Sequence, residues 1–124
     1  MGFITFVTKR CDSFKFAFNG LRTLIVGELN AIIHLVAAIA VIIAGIFSHI
    51  ELYQWAMIVF AIGFVFAMEL INTAIECMAD FVSPEKKQAI KIIKDLSAAA
   101  VLVSAITAFV VGLIIFVPLI IQAF

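Results

Sequence analysis

Charge is scarce in this sequence. Only 13% of the 124 residues are charged, 66% are hydrophobic, and the mean hydropathy is +1.30. These values lie outside the range of soluble globular domains and indicate an integral membrane protein. The charges of the eight basic and eight acidic side chains cancel, so the formal net charge is zero. A chain without net positive charge lacks the electrostatic footprint of a nucleic-acid-binding protein, so we expect no nucleic-acid partner.

Cysteine, proline and glycine are also rare, with two, two and six residues. So little glycine leaves no glycine-rich phosphate loop of the P-loop type. Three apolar stretches, residues 29–47, 52–78 and 90–121, are each long enough to cross a hydrocarbon core about 30 Å thick. We therefore predict an all-α membrane protein with one domain, residues 1–124, and three transmembrane helices.

The segment before the first span, residues 1–27, lacks the continuous apolar run of a signal peptide. Phe14, Phe18, Leu21 and Ile25 recur at helical spacing, with polar residues between them. This pattern predicts an amphipathic helix that lies on the membrane surface.

The basic residues are distributed unevenly along the chain. All eight precede span 1 or lie around the turn between spans 2 and 3, and none lies in the turn of residues 48–51. The positive-inside rule then places the N-terminus and the second turn in the cytoplasm, and the C-terminus outside. Cys11 and Cys77 fall on the cytoplasmic side, so we expect neither a disulfide nor a metal site from them.

Span 2 carries a polar face inside an otherwise apolar helix. Glu69, Asn72, Thr73 and Glu76 fall at i, i+3, i+4 and i+7, and therefore share one side of the helix. A carboxylate costs about 2.5 to 3.5 kcal/mol on insertion scales near the bilayer centre, and less toward the interface. Such a cost indicates a functional site.

A second polar group follows the end of span 2. Ser83 as N-cap and Pro84 at the first helical position predict that the third helix begins here. Lys87, Lys91 and Lys94 then form a basic stripe. In a tight hairpin this stripe lies beside the acidic stripe of span 2.

These groups suit phosphoryl transfer. Glu28, at the start of span 1, and Glu76 share one membrane border and offer the oxygen ligands that Mg²⁺ prefers. The lysines suit a polyphosphate, and the deeper Glu69 suits a general base for the hydroxyl of a membrane lipid. Acidic and basic faces also occur in proton relays and structural ion pairs. A small oligomeric channel or proton-coupled carrier is therefore the alternative, although transport sites lie near the bilayer midplane.

Two strings carry a family resemblance, ELINTAIECMAD at residues 69–80 and KIIKDLSAAAVL at residues 91–102, with GLR at residues 20–22. Over nearly the whole chain the sequence resembles the prokaryotic diacylglycerol kinase and undecaprenol kinase family. The resemblance implies an ATP-dependent lipid kinase of the bacterial inner membrane that phosphorylates undecaprenol or diacylglycerol. It also implies a homotrimer with active sites between subunits.

The resemblance further implies roles for individual residues. Glu69 would be the catalytic base, and Glu28 and Glu76 would hold the metal of Mg-ATP. The other nucleotide contacts would come from Lys9, Asn72, Glu85, Lys86, Lys87, Lys94 and Asp95.

The segment after Glu28 bears on the acceptor. Ile32 stands where the family usually has a basic residue, whereas Asn30 and His34 resemble the undecaprenol kinases of the family more than its diacylglycerol kinases, which implies undecaprenol as the acceptor. His34 itself we interpret as a packing or interhelical hydrogen-bonding residue. Four small residues recur every fourth position in span 3, and we expect copies of the chain to pack through them: they are Ala100, Ser104, Ala108 and Gly112.

Overall fold

The computed structural model describes residues 2–124 as four helices. They are α1 (Phe3–Gly27), α2 (Leu29–Phe47), α3 (Leu52–Val82) and α4 (Gln88–Ala123). The last three are long and apolar enough to cross a membrane, which confirms the three predicted spans. Spans 1 and 2 begin at the predicted residues, whereas α3 continues to Val82 and α4 extends two residues beyond span 3 at each end.

The N-terminal segment is a helix of its own, separated from α2 by a single residue. Glu28 adopts an extended conformation, with φ −121° and ψ 114°, and so interrupts the helical path between α1 and α2. Leu24 is the buried residue of α1 and is 1% exposed, while α1 packs against both α2 and α3. The placement of α1 on the membrane surface stays a prediction.

A tight turn joins α2 to α3. His49 has a positive φ of 50°, a conformation that lets the chain reverse within four residues. Glu51 and Gln54 then form a reciprocal cap at the start of α3, in which the Glu51 N–H donates to Gln54 Oε1 at 2.9 Å. The turn predicted at residues 48–51 is confirmed.

The helix start predicted at Ser83 and Pro84 is wrong. Ser83 caps the C-terminus of α3, donating its N–H to the carbonyl of Ala79 at 3.0 Å, and its backbone is extended. A residue before proline is disfavoured in the helical region, so Pro84 stops α3 and does not start α4. Lys87 is the N-cap of α4 and hence lies just before the helix.

The most extensive helix packing joins α3 to α4. Ile50, Ile58 and Ile115 form the buried cluster, and Trp55 packs against it. At Gly45 a Cβ would lie 2.8 Å from Trp55 Cη2, so the close approach of α2 to the indole requires glycine. Most other large apolar side chains are exposed on the chain, as expected for surfaces that face lipid.

The small-residue stripe of α4 lies partly inside the chain. Ser104 is 0% exposed and donates its hydroxyl to the carbonyl of Val101 at 2.7 Å. Ala108 and Gly112 line a cavity between the helices. Ser104 therefore packs within one chain, and of the four residues Ala100 is the exposed one.

Candidate functional site at the membrane border

Glu69 is the most deeply buried charged residue among residues 2–124, with 2% of it exposed. It lies seventeen residues after the start of α3 at Leu52, about 26 Å along the helix axis. In a hydrocarbon core about 30 Å thick this position is close to the far border. The site is therefore displaced from the midplane, where a transport site would lie.

The nearest titratable partner of Glu69 comes from α2. His34 Nε2 lies 3.1 Å from Glu69 Oε1, and the two side chains are 24% and 2% exposed. Apart from this close contact, Oε1 is buried and accepts no well-directed hydrogen bond among the described residues. The carboxylates of Glu28 and Glu76 are near enough for their charges to act on Glu69.

Asn72 connects the polar face of α3 to α4. Its Nδ2 approaches Glu76 Oε1 at 3.4 Å, while its Oδ1 accepts a hydrogen bond from the hydroxyl of Ser97 at 2.7 Å. Ser97 is 5% exposed. This chain of contacts fixes the amide of Asn72 and leaves Glu76 with no cationic partner among the ion pairs of the described residues.

Two ion pairs occupy the more exposed end of the site. Lys94 Nζ lies 2.5 Å from Asp80 Oδ1 and joins α4 to α3, and Lys91 Nζ lies 2.6 Å from Asp95 Oδ2 within α4. The acidic and basic stripes were predicted to lie side by side, and they do so at Lys94 and Asp80. All four side chains are at least one-third exposed, and such pairs exchange partners readily, so both lysines remain available to a phosphate.

The connection between α3 and α4 forms a polar depression of about 420 Å³. Its lining includes the predicted nucleotide residues Glu85, Lys86, Lys87, Lys94 and Asp95. Lys9 is separate from this group. It is exposed on α1, nineteen residues before Glu28, which is about 28 Å along a straight helix.

The donor set at this border fits Mg²⁺. Glu28 is half-buried at the α1–α2 junction and Glu76 is half-buried on α3, and both present oxygen atoms alone. Residues 2–124 contain no cluster of three or more His, Cys, Asp or Glu side chains able to hold a metal. Two carboxylates suit an ion that completes its shell with phosphate oxygens and water, as Mg²⁺ usually does.

A second cavity, of about 390 Å³, lies between α2, α3 and α4 on the apolar side of this site. His34 is the one lining residue with a polar side chain, and the others are aliphatic, glycine or phenylalanine. An apolar cavity of about 150 Å³ is enough to hold benzene. This cavity can therefore take a segment of hydrocarbon chain whose polar end lies at His34, the residue in contact with Glu69.

The structure thus brings together most of the predicted site. Glu69, Asn72 and Glu76 share one face of α3, and the loop lysines meet Lys94 and Asp95. The sequence predicted that the two stripes are neighbours and that His34 is a packing or interhelical hydrogen-bonding residue, but it did not identify the individual partners, which are Ser97 for Asn72, Asp80 for Lys94 and Glu69 for His34. Ser97 follows Lys94 by three residues and Asp80 follows Glu76 by four, so helical spacing could have found both.

The fold and the site define a class of protein: a small membrane protein with three spanning helices and a border site of carboxylates and lysines. The sequence model described as prokaryotic diacylglycerol kinase matches residues 15–116. The chain belongs to the prokaryotic diacylglycerol kinase family. It is therefore an enzyme, a lipid kinase, and not the channel or carrier of the alternative hypothesis.

Two relatives are named for different lipid acceptors. A protein of Bacillus subtilis named undecaprenol kinase is 37% identical over 106 residues, which cover 86% of each chain. A protein of Synechocystis sp. named diacylglycerol kinase is 36% identical over 101 residues, which cover 81% of this chain and 58% of that protein. The sequence identity to this chain is nearly the same for both relatives. The length of this chain, however, matches that of the undecaprenol kinase better than that of the diacylglycerol kinase.

Proposed function

We propose that this protein transfers the γ-phosphoryl group of ATP to the hydroxyl of a membrane lipid alcohol, and that undecaprenol is that alcohol. The observation that carries the proposal is the position of Glu69. It is a buried carboxylate near one membrane border, and it contacts His34, which lines the apolar cavity, while Asn72 and Glu76 of the polar border site follow it on the same face of α3. That position suits the point where a lipid hydroxyl meets a nucleotide.

The acceptor is inferred from the cavity and from the relatives. The cavity is one groove between three helices, lined by small and aliphatic residues, and it suits one hydrocarbon chain better than two. Undecaprenol has one chain, and diacylglycerol has two. The relative of matching length is named for undecaprenol.

The transfer follows from the residues at the border. The lipid oxygen forms a bond to the γ-phosphorus, the bond to the β–γ bridging oxygen breaks, and ADP leaves. Glu69 accepts the hydroxyl proton. Lys94 leaves Asp80 for the phosphates, Asn72 and Asp95 position the nucleotide, and the loop residues Glu85, Lys86 and Lys87 close over it.

Glu28 and Glu76 are the residues that would hold Mg²⁺. Held by these two carboxylates, the ion would supply positive charge that neutralises the phosphate oxygens of the nucleotide. Glu28 lies at the α1–α2 junction and Glu76 lies on α3, so this junction has to stay against α3 for the pair to act together.

The assembly and the topology belong to the same proposal. Lys9 lies about 28 Å from Glu28 along α1, so it reaches a nucleotide phosphate most directly in a neighbouring copy. This supports a homotrimer with sites shared between subunits. The charge distribution supports a multi-pass protein of the bacterial inner membrane, with α1 on the cytoplasmic surface and the C-terminus outside.

The test is phosphate transfer from γ-labelled ATP to purified lipid alcohols, with undecaprenol and diacylglycerol assayed side by side in the same detergent. We expect a higher kcat/KM for undecaprenol. A higher kcat/KM for diacylglycerol would show that the proposed acceptor is wrong, while the proposed phosphoryl transfer would stand. Transfer of label to neither lipid would contradict the whole proposal.

A further inference from the structure

His34, which contacts the base Glu69, has no part in the transfer described so far. The two side chains come from different helices, and both lie within the membrane-spanning part of the chain. Glu28 from the α1–α2 junction and Glu76 from α3 are the other charges that act on Glu69. From α4, Lys94 is paired with Asp80, and the neighbouring Ser97 does not titrate in the accessible pH range.

A carboxylate that acts as a base has to lose its proton before the next turnover. Glu69 is 2% exposed, and its buried Oε1 has no hydrogen bond among the described residues. Glu28 and Glu76 are the expected metal ligands, and a carboxylate that holds a cation is a poor proton acceptor. The imidazole of His34, 3.1 Å away, is the basic group within reach of Oε1.

We propose that His34 is a positioning residue for the reaction, one that holds the Oε1 side of Glu69 and takes its proton after each transfer. This role rests on the proposed function. The hydroxyl proton passes from the lipid to Glu69 and then to a ring nitrogen of His34. The imidazole is 24% exposed, so the proton reaches water from His34 and not from Glu69. Oε2 of Glu69 then faces the next hydroxyl.

The location of His34 in the apolar cavity ties the same side chain to the acceptor. It is the polar end of a groove that otherwise offers only apolar surface. A lipid chain in this groove brings its hydroxyl toward the imidazole and the carboxylate together. Loss of His34 therefore affects the transfer step and leaves nucleotide contacts at the border unchanged.

Three variants separate the parts of this role. His34→Gln keeps an N–H that can hold Oε1 but cannot carry a proton, His34→Leu removes both functions, and His34→Ala leaves space for added imidazole. We expect kcat to fall at least tenfold in His34→Leu and less in His34→Gln, with KM for ATP unchanged in both. Added imidazole should restore part of the kcat of His34→Ala, increasingly as pH rises and more imidazole is neutral.

The matched control is the second histidine. His49 lies in the opposite turn with a positive φ, which asparagine tolerates, so His49→Asn should keep the original kcat. A wild-type kcat in His34→Leu, or a loss that raises KM for ATP and does not respond to imidazole, would overturn the role of His34. A wild-type chain that phosphorylates no lipid alcohol would instead overturn the proposed function beneath it.

Discussion

At the scale of single residues, the buried polar side chains of this protein fall into two groups. Ser97 and Ser104 are buried and donate hydrogen bonds within the chain, so their burial is compensated. Glu69 Oε1 and Thr73 Oγ1 are buried without a partner among the described residues. An unpartnered buried polar group is costly, and inside a membrane such a residue marks a functional site.

Glu69→Gln tests the role of the buried carboxylate. Glutamine has nearly the same shape but does not accept a proton, so we expect kcat to fall by a factor of about 10² to 10⁴. Nucleotide affinity should stay the same, because the side chain lies seven residues, about 10 Å, from Glu76 along α3. Equilibrium dialysis with labelled nucleotide measures the affinity, and label transfer to lipid measures kcat.

The control for this variant is Glu51→Gln, in the turn at the other end of α3, whose amide oxygen can still accept the capping hydrogen bond. It should retain full activity. More than a few percent of the original turnover in Glu69→Gln would remove Glu69 from the role of base.

Glu28→Gln and Glu76→Gln concern the metal. Each change removes one hard oxygen ligand, and we expect each to raise the Mg²⁺ concentration for half-maximal activity about tenfold, equivalent to about 1.4 kcal/mol. Magnesium titration at saturating ATP and lipid gives the measurement. Titration curves that coincide with the original chain in both variants would count against this pair of ligands.

At the scale of helices, the sequence predicts the interior of each helix better than the residues at which it begins and ends. The face of Glu69, Asn72 and Glu76 follows from helical spacing alone, because it depends on one helix. The contact of His34 with Glu69 depends on how α2 and α3 are aligned, and spacing within either helix carries no such information. At Pro84 two rules compete, and the restriction on the preceding Ser83 outweighs the preference of proline for a helix start.

The packing of α2 on α3 also depends on a contact between helices. Gly45→Ala places a methyl group 2.8 Å from Trp55 Cη2 and 3.1 Å from Ile50 Cδ1, and the indole ring cannot bend away. We expect a loss of about 1 to 3 kcal/mol, the usual cost of overpacking. The midpoint of unfolding in a detergent titration, with the original chain alongside, is the measurement.

Gly63→Ala is the matched control for this variant. A Cβ at Gly63 meets nothing within 4 Å, and alanine has the higher helix propensity, so its midpoint should be equal or higher. If Gly45→Ala unfolded at the same midpoint as Gly63→Ala, the close contact between α2 and Trp55 would not limit stability.

At the scale of the whole molecule, one chain leaves its site open. The polar face of α3 is contacted by α2 at Glu69 and by α4 at Asn72, but Glu28 and Glu76 remain half-exposed. Polar groups exposed to hydrocarbon cost several kcal/mol, and this cost favours their burial by a second copy of the chain. Sequence patterns predict each helix from its own residues, whereas assembly depends on surfaces that no single helix defines.

Mixing two inactive chains tests whether sites are shared. Lys9→Gln removes the residue expected from one copy, and Glu69→Gln removes the base expected from the next. In a trimer assembled at random from equal amounts, a site needs Lys9 from one chain and Glu69 from its neighbour, so about a quarter of the sites are intact. We expect about a quarter of the original activity after co-assembly, and almost none from either variant alone.

A second mixture provides the control, because Glu69 and Glu76 share one face of α3 in the same chain. Mixing Glu69→Gln with Glu76→Gln leaves every site without one of the two residues, so activity should not return. If the site were self-contained in each chain, the Lys9→Gln and Glu69→Gln mixture would be equally inactive. Recovery in the first mixture and not in the second is the result expected of a site between subunits, since the altered residues of the first mixture lie on different helices, α1 and α3, whereas those of the second share one face of α3.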